Sequence, residues 1–215
     1  RPVAAIALLA DGRLVGVGAR GLAVTWRNGT ARTEALPEAA LGDSLWSVVA
    51  SADGGATAIG SRTVVQRDAR GGWTMVRRLP QARTEHRYFA VLPNGDLVVA
   101  GQSIHIWDRS ADTLPSATLL QATLGEAEVS ALHVLADGRL VAGFATPQEP
   151  TLGGRLLVWQ APARAGRARP VELPRNLDIT DLADDGRYLY VVGRGGALTI
   201  PLDSLPVARP TRRPD

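Results

Sequence analysis

Short apolar runs rich in β-branched residues occur in pairs along this chain, and a polar turn dipeptide separates the members of each pair. The dipeptide is Asp-Gly at positions 11, 53, 137 and 185 and Asn-Gly at position 94. Asn-Gly and Asp-Gly favour tight β-hairpins because both residues tolerate positive φ. The pattern therefore predicts five antiparallel hairpins with positive φ at both turn centres.

A third strand is predicted in every copy, after a short turn that contains Gly, Arg or Ser. These strands are expected at 22–26, 63–66, 104–107, 156–159 and 197–200, and a weaker fourth run follows in most copies. Four strands in a unit of roughly 42 residues, repeated along a chain, are typical of the blades of a β-propeller. No capped amphipathic helix of about ten or more residues is predicted.

The predicted fold is all-β: a β-propeller of five four-stranded antiparallel blades in a single domain over residues 1–209. The blades are expected at about 1–35, 46–79, 87–120, 128–173 and 177–209, and residues 210–215 are expected to form a C-terminal tail or linker. We expect the five blades to form a complete or nearly complete ring. The alternative is that they are five blades of a larger propeller, because no strand from the first terminus is seen to complete the last blade.

The third copy carries a family resemblance in the run Val91–Gly101 and in the closing residues Ile106, Trp107 and Asp108. These segments resemble the first hairpin and the last strand of a WD-repeat. Trp26 and Trp159 occupy the position of Trp107 in the first and fourth copies, so the resemblance implies that these three tryptophans are structural. It implies a divergent propeller of the WD-repeat-like class and no particular chemistry.

Composition narrows the functional classes. The chain has no Cys, which excludes disulfides, thiolate metal sites and cysteine nucleophiles. The pI is near 10.1 although the net charge is only +3, because every basic residue is Arg, and this usage favours a bacterial source with a GC-rich genome. The charges are scattered and aromatic residues make up 5%, so we expect no nucleic-acid partner. Apolar runs are too short for membrane insertion.

The chain begins at Arg1 and its only methionine is Met75, so we expect it to be part of a larger polypeptide. The sequence predicts a soluble module. It does not determine the compartment, although it favours the cytoplasm over secretion.

No catalytic residue is assigned. Gly42-Asp43-Ser44-Leu45 spells the signature of a Ser hydrolase family, but the Asp and His that would activate such a serine are missing, so a connecting loop is predicted. The alternative function is a carbohydrate-active hydrolase or lyase, for which the candidate carboxylates are those of Asp178, Asp181, Glu126 and Glu128.

Histidine positions predict neither a metal nor a cofactor, since His86, His105 and His133 fall in different copies and registers. His133 and Asp181 both lie four residues before their turn aspartates, so we expect them to face each other on adjacent innermost strands. A buried imidazole and carboxylate would satisfy each other's hydrogen bonds, which predicts a structural pair.

The predicted function is that of a protein-interaction, scaffolding or sensor module that binds a protein or peptide through a loop face, and an acidic partner is one candidate. Strand direction assigns the second-to-third-strand turns and the inter-blade loops to one face. The candidate partner-binding residues on that face are Arg20, Arg62, Arg87, Arg175 and Arg194, with Pro147, Glu149 and Pro150 of an insertion at 145–154. The Asp-Gly turns lie on the opposite face and are interpreted as serving turn geometry.

Overall fold

The computed structural model describes residues 2–51, 53–79, 88–101, 104–108, 117–120, 128–145, 155–160, 168–171, 173 and 177–206. The chain is a five-bladed, all-β propeller of antiparallel sheets, as the repeat pattern predicted. It divides into two compact units, residues 1–87 with the first two blades and residues 88–215 with the other three.

The first unit contains two four-stranded sheets whose strands pair in chain order. The first blade consists of β1 (Val3–Leu8), β2 (Leu14–Gly18), β3 (Leu22–Arg27) and β4 (Thr30–Thr33). The second blade consists of β5 (Leu45–Ala50), β6 (Ala56–Gly60), β7 (Thr63–Arg67) and β8 (Trp73–Arg78). A single 3-10 turn, Glu38–Ala40, lies between them.

The second unit repeats this order in three sheets. The third blade consists of β9 (Tyr88–Val91), β10 (Leu97–Ala100), β11 (Ile104–Trp107) and β12 (Ala117–Leu120). The fourth consists of β13 (Glu128–Val134), β14 (Leu140–Ala145), β15 (Arg155–Trp159) and β16 (Arg169–Val171). The fifth shows three strands within the described residues: β17 (Asp178–Asp184), β18 (Tyr188–Arg194) and β19 (Gly196–Pro201).

The hairpin turns differ from the prediction in one respect. The glycine of each dipeptide has positive φ, for example +80° at Gly12, but the preceding Asp or Asn does not. Gly12 N donates to Leu9 O, and Leu9 N donates to Arg13 O. This is the pattern of a three-residue loop, in which a type I turn is followed by a left-handed glycine. The prediction of positive φ at both centres was therefore wrong, because only the glycine has to enter that region.

Blades pack face to face through apolar residues that alternate along the strands. In the first unit, Val15 and Val17 of the first sheet belong to one buried cluster with Leu45 and Val48 of the second. A β-bulge interrupts the alternation in β1, β5, β13 and β17, the first strands of four blades.

The three predicted tryptophans take equivalent positions, each opposite the leucine that begins the second strand of its sheet, but they differ in burial. Trp159 is 1% exposed and Trp107 is 5% exposed. Trp26 is only half-buried, and its ring lies against Gly16, where a β-carbon would come within 2.6 Å of it.

Candidate functional site: an arginine-lined cavity in the first two blades

A buried ionic cluster joins the first two blades. Arg67, at the end of β7, is 1% exposed. Its guanidinium donates from Nη2 to Oε1 of Glu34 (2.7 Å) and from Nε to Oε2 (2.8 Å). Trp73 Nε1 donates to Oε2 at 2.7 Å, and Thr25 Oγ1 lies 3.2 Å from Oε1. Both oxygens of the Glu34 carboxylate are therefore engaged by two donors each.

Local structure explains how these residues meet. Arg67 pairs with Trp73 across the β7–β8 hairpin, so that both side chains leave the sheet on the same face. Glu34 follows β4 directly, and its N–H donates to Ala23 O, which extends the pairing of that strand and fixes the direction of the carboxylate.

The ionic state of Glu34 follows from these contacts. Burial by itself raises the pKa of Glu34, but the hydrogen bonds from Arg67 and Trp73 outweigh it and hold the pKa below its ordinary value of 4.5. The same bond raises the pKa of Arg67. The pair is thus charged at neutral pH, and its bidentate geometry makes it a rigid element.

A cavity of about 650 Å³ lies beside this cluster. Its walls come from the β1–β2 turn, from β3 and β4 with the turn between them, and from the β7–β8 turn. The lining residues are Arg13, Thr25, Arg27, Thr30, Arg32, Thr33, Glu34, Ala35, Arg70, Gly71 and Gly72.

Four arginines line the cavity, and one of them is already engaged. Arg13 donates from Nε to Asp11 Oδ2 at 2.5 Å and from Nη2 to Ala69 O at 3.0 Å. The guanidinium groups of Arg27, Arg32 and Arg70 make no hydrogen bond or ion pair with any described residue, and all three residues are exposed. We refer to these three as the uncommitted arginines.

Neighbouring aspartates are engaged by the turns that carry them. A hydrogen bond from the backbone N–H of Arg13 lowers the pKa of Asp11, and the N–H groups of Gly72, Arg70 and Gly71 lower the pKa of Asp68. These carboxylates hold the turns in shape. Guanidinium groups therefore provide the donors that the cavity can offer to a ligand, which makes it suited to an anion.

The predicted partner-binding residues lie elsewhere. Arg20 is in the β2–β3 turn and Arg62 is in the β6–β7 turn, at the ends of their strands opposite to the cavity. Arg194 is exposed at the end of β18. The remaining candidates, Arg87, Arg175, Pro147, Glu149 and Pro150, lie outside the described residues. No observation tests the predicted face, and it remains a prediction.

The expected pairing of His133 with Asp181 was wrong. His133 Nε2 lies 2.6 Å from Oδ2 of Asp184, whereas Asp181 Oδ1 accepts from the Leu182 N–H. The cause is the last hairpin, which closes from Asp185 N to Tyr188 O. The other turns close two residues before their Asp or Asn, so counting from Asp185 shifts the register of β17.

The Gly42-Asp43-Ser44-Leu45 segment forms a structural connection between strands. Asp43 is 2% exposed, and its Oδ2 accepts from Thr63 Oγ1 at 2.7 Å and from Arg62 N at 3.0 Å. Its Oδ1 accepts from Ser44 N. The carboxylate thus ties the segment to the β6–β7 turn.

Metal-binding groups and membrane-spanning helices are both absent from the described residues. Within the described part of the chain, no group of three or more His, Asp or Glu side chains is arranged to hold a metal ion. His86 and Glu126 lie outside that part. No helix among the described residues has the length and apolar character that crossing a membrane requires.

Similarity to known proteins is restricted to the fold. No protein-family model and no curated protein sequence matches the chain. Among solved structures, the chain is similar to YCF48 from Cyanidioschyzon merolae, with 18% identity, a TM-score of 0.60, and coverage of 96% of this chain and 71% of that one.

Two further structures give the same result. A streptogramin B lyase has 16% identity and a TM-score of 0.64, with 95% of this chain and 71% of that chain covered. YCF48 bound to a D1 peptide has 16% identity and a TM-score of 0.61, with 92% of this chain and 63% of that chain covered. A peptide-bound protein and a lyase thus have folds similar to that of this chain. Neither YCF48 nor the lyase is named as a WD-repeat protein.

Sequence reasoning missed the cavity. Glu34, Arg67 and Arg70 belong to different repeats and come together only when the two sheets pack. One signal was available: Arg67 lies two residues after Val65, in the register that faces the core, and a buried arginine requires a carboxylate partner.

Proposed function

We propose that this chain is a protein-interaction module that binds an acidic segment of a partner protein in the arginine-lined cavity. The observation that carries the proposal is the set of three uncommitted arginines around one cavity beside a rigid, charge-paired cluster. A guanidinium recognises a carboxylate or a phosphate through parallel hydrogen bonds, and a pre-organised wall lowers the entropic cost of binding.

One observation favours binding over catalysis at this cavity. Among the described residues that line the cavity, Glu34 is the only one with a carboxylate, and its four hydrogen bonds leave it poorly placed to act as an acid or a base. The structural neighbour YCF48 was solved with a peptide bound, so a peptide ligand is compatible with this fold. The streptogramin B lyase is equally similar in fold, so the comparisons do not separate the binding function from the hydrolase or lyase alternative.

The first prediction compares the cavity with the face predicted from the sequence. The probe is a fluorescein-labelled peptide that contains six consecutive glutamates, and binding is followed by fluorescence anisotropy. Arg27→Glu/Arg70→Glu should weaken binding more than tenfold, because two attractive guanidinium groups become repulsive carboxylates. Raising the salt concentration should weaken the wild type in parallel.

The matched control is Arg62→Glu/Arg194→Glu, which makes the same change in net charge at exposed positions of the other predicted face. We expect this variant to bind within about twofold of the wild type. If the control loses the peptide and the cavity variant keeps it, the site is on the loop face. If the wild type does not bind acidic peptides at all, the proposed function is wrong.

A further inference from the structure

The arrangement of charge around the cavity points to a more specific ligand than an acidic side chain. Two of the ion pairs, Arg13 with Asp11 and Arg67 with Glu34, are locally neutral. One further carboxylate lies nearby, that of Asp68 in the same turn as Arg70. The three uncommitted arginines less this one carboxylate leave two positive charges, which match a dianion better than a single carboxylate.

The uncommitted arginines also come from different directions. Arg27 ends β3, Arg32 lies within β4, and Arg70 is in the β7–β8 turn of the next blade. Each can offer two parallel N–H donors. A planar carboxylate presents two oxygens, whereas a phosphate monoester presents three around a tetrahedral centre. Donors that approach from several sides are better satisfied by the phosphate.

A threonine hydroxyl adds to this set. Thr30 lines the same cavity on the sheet face that carries Arg27 and Arg32, and its hydroxyl makes no hydrogen bond with the described residues. It can donate to a phosphate oxygen, as serine and threonine hydroxyls commonly do. The cavity of about 650 Å³ is much larger than a phosphate group, which leaves room for the residue that carries it. The cationic groups are gathered at one cavity and do not form a stripe, so a phosphorylated protein segment fits better than a nucleic acid.

We propose that the cavity recognises a phosphorylated residue of a protein partner, an inference that rests on the proposed function. The phosphate oxygens accept from Arg27, Arg32 and Arg70, and the Glu34–Arg67 pair holds the wall behind them. The chain is therefore a phosphopeptide reader, and an aspartate or glutamate at the same position of the partner is a weaker ligand.

The experiment uses three fluorescein-labelled peptide libraries with the same degenerate flanks. Their central residue is phosphothreonine in the first, glutamate in the second and threonine in the third. We expect the wild type to bind the phosphothreonine library at least tenfold more tightly than the glutamate library, and to bind the threonine library least. Arg27→Glu/Arg70→Glu should abolish the preference, while Arg62→Glu/Arg194→Glu should retain it.

The outcomes separate this inference from the proposed function. Equal or tighter binding of the glutamate library, with loss in the cavity variant, would overturn phosphate recognition and leave the acidic-segment function in place. Absence of binding to all three libraries would overturn both. A phosphate preference that survives in the cavity variant would also overturn the assignment of the site. Thermal unfolding of each variant shows whether a loss of binding comes from a loss of folding.

Discussion

Arg67 is a cation with almost no access to water, and the carboxylate of Glu34 is what allows it to be buried in the charged state. Desolvation of a guanidinium is costly, and here the two hydrogen bonds that Arg67 donates to Glu34 compensate for it. Trp73 and Thr25 satisfy the other lone pairs of that carboxylate. The cluster is thus a fully connected polar network, and the loss of any one member is expected to cost more than one average hydrogen bond.

Replacing Glu34 by Ala should destabilise the protein by about 3–5 kcal/mol at pH 7, because Arg67 would remain buried without its partner. This destabilisation should become smaller as the pH is lowered. The pKa of Glu34 in the folded state lies below 4.5. As the pH falls, Glu34 is therefore protonated in the unfolded chain before it is protonated in the folded one. The stabilisation is present above pH 4.5 and is lost as the pH falls through the folded-state pKa. Urea unfolding of the wild type and the variant between pH 7 and pH 3 measures both effects.

The control for this prediction is Arg32→Ala. Arg32 is exposed and makes no described hydrogen bond, so its removal should change the free energy of unfolding by less than about 0.5 kcal/mol. A Glu34→Ala variant as stable as this control would show that the cluster contributes little.

At the scale of elements, Asp-Gly-Arg turns link neighbouring blades. In the first unit, Arg13 is held by Asp11 and donates to Ala69 O in the second blade. In the second unit, Arg139 is held by Asp137 and donates to Leu202 O, which follows the last strand of the fifth blade. The same tripeptide therefore shapes its own turn and joins its blade to the next one.

Arg139→Met should destabilise the second unit by about 1–3 kcal/mol. The methionine keeps the apolar stem of the side chain, but Leu202 O and Asp137 lose their donor at a site that is 6% exposed. Arg13→Met is the matched control, since Arg13 is more exposed and should cost less. Urea unfolding gives the free energies, and hydrogen exchange of residues 202–205 should speed up in the first variant alone.

The sequence correctly located the turns at this scale, but it did not predict the register of β17. The four Asp-Gly dipeptides and the Asn-Gly dipeptide located all five hairpins because a left-handed glycine is a local requirement. The partner of His133 could not be counted from them. The different closure at Asp185 changes the register of β17, and it leaves no mark in the spacing of the turns.

For the whole molecule, the repeats were sufficient to predict the fold, because every copy carries the same turn dipeptide and at least three strands in the same order. The cavity could not be predicted in the same way. It is formed by residues from two copies, and repeat alignment compares equivalent positions instead of positions that meet across an interface. Composition misled in a similar manner, since scattered arginines along the chain gave no sign that three of them gather at one cavity.

The Asn-Gly turn of the third blade is a site where the protein can deamidate slowly. Asn94 is the only asparagine among the five turn dipeptides, and its amide donates to Asp96 Oδ2 at 2.7 Å. Asparagine before glycine deamidates readily, because the glycine nitrogen can attack the side-chain amide with little hindrance. In the folded chain that nitrogen donates to Leu92 O, so the reaction is expected mainly when the turn opens.

Deamidation would place a carboxylate against that of Asp96, which is 3% exposed, and two carboxylates so close cannot both ionise without cost. Asn94→Asp should therefore lower stability at pH 7 by about 1–3 kcal/mol, as measured by thermal unfolding. The matched control is Asp53→Asn in the second blade, where Gly55 occupies the position of Asp96. Because no carboxylate lies at that position, this substitution should have little effect on stability. Each episode of heating or partial unfolding would thus leave a fraction of molecules permanently less stable, and storage conditions that keep this turn closed should preserve the protein longest.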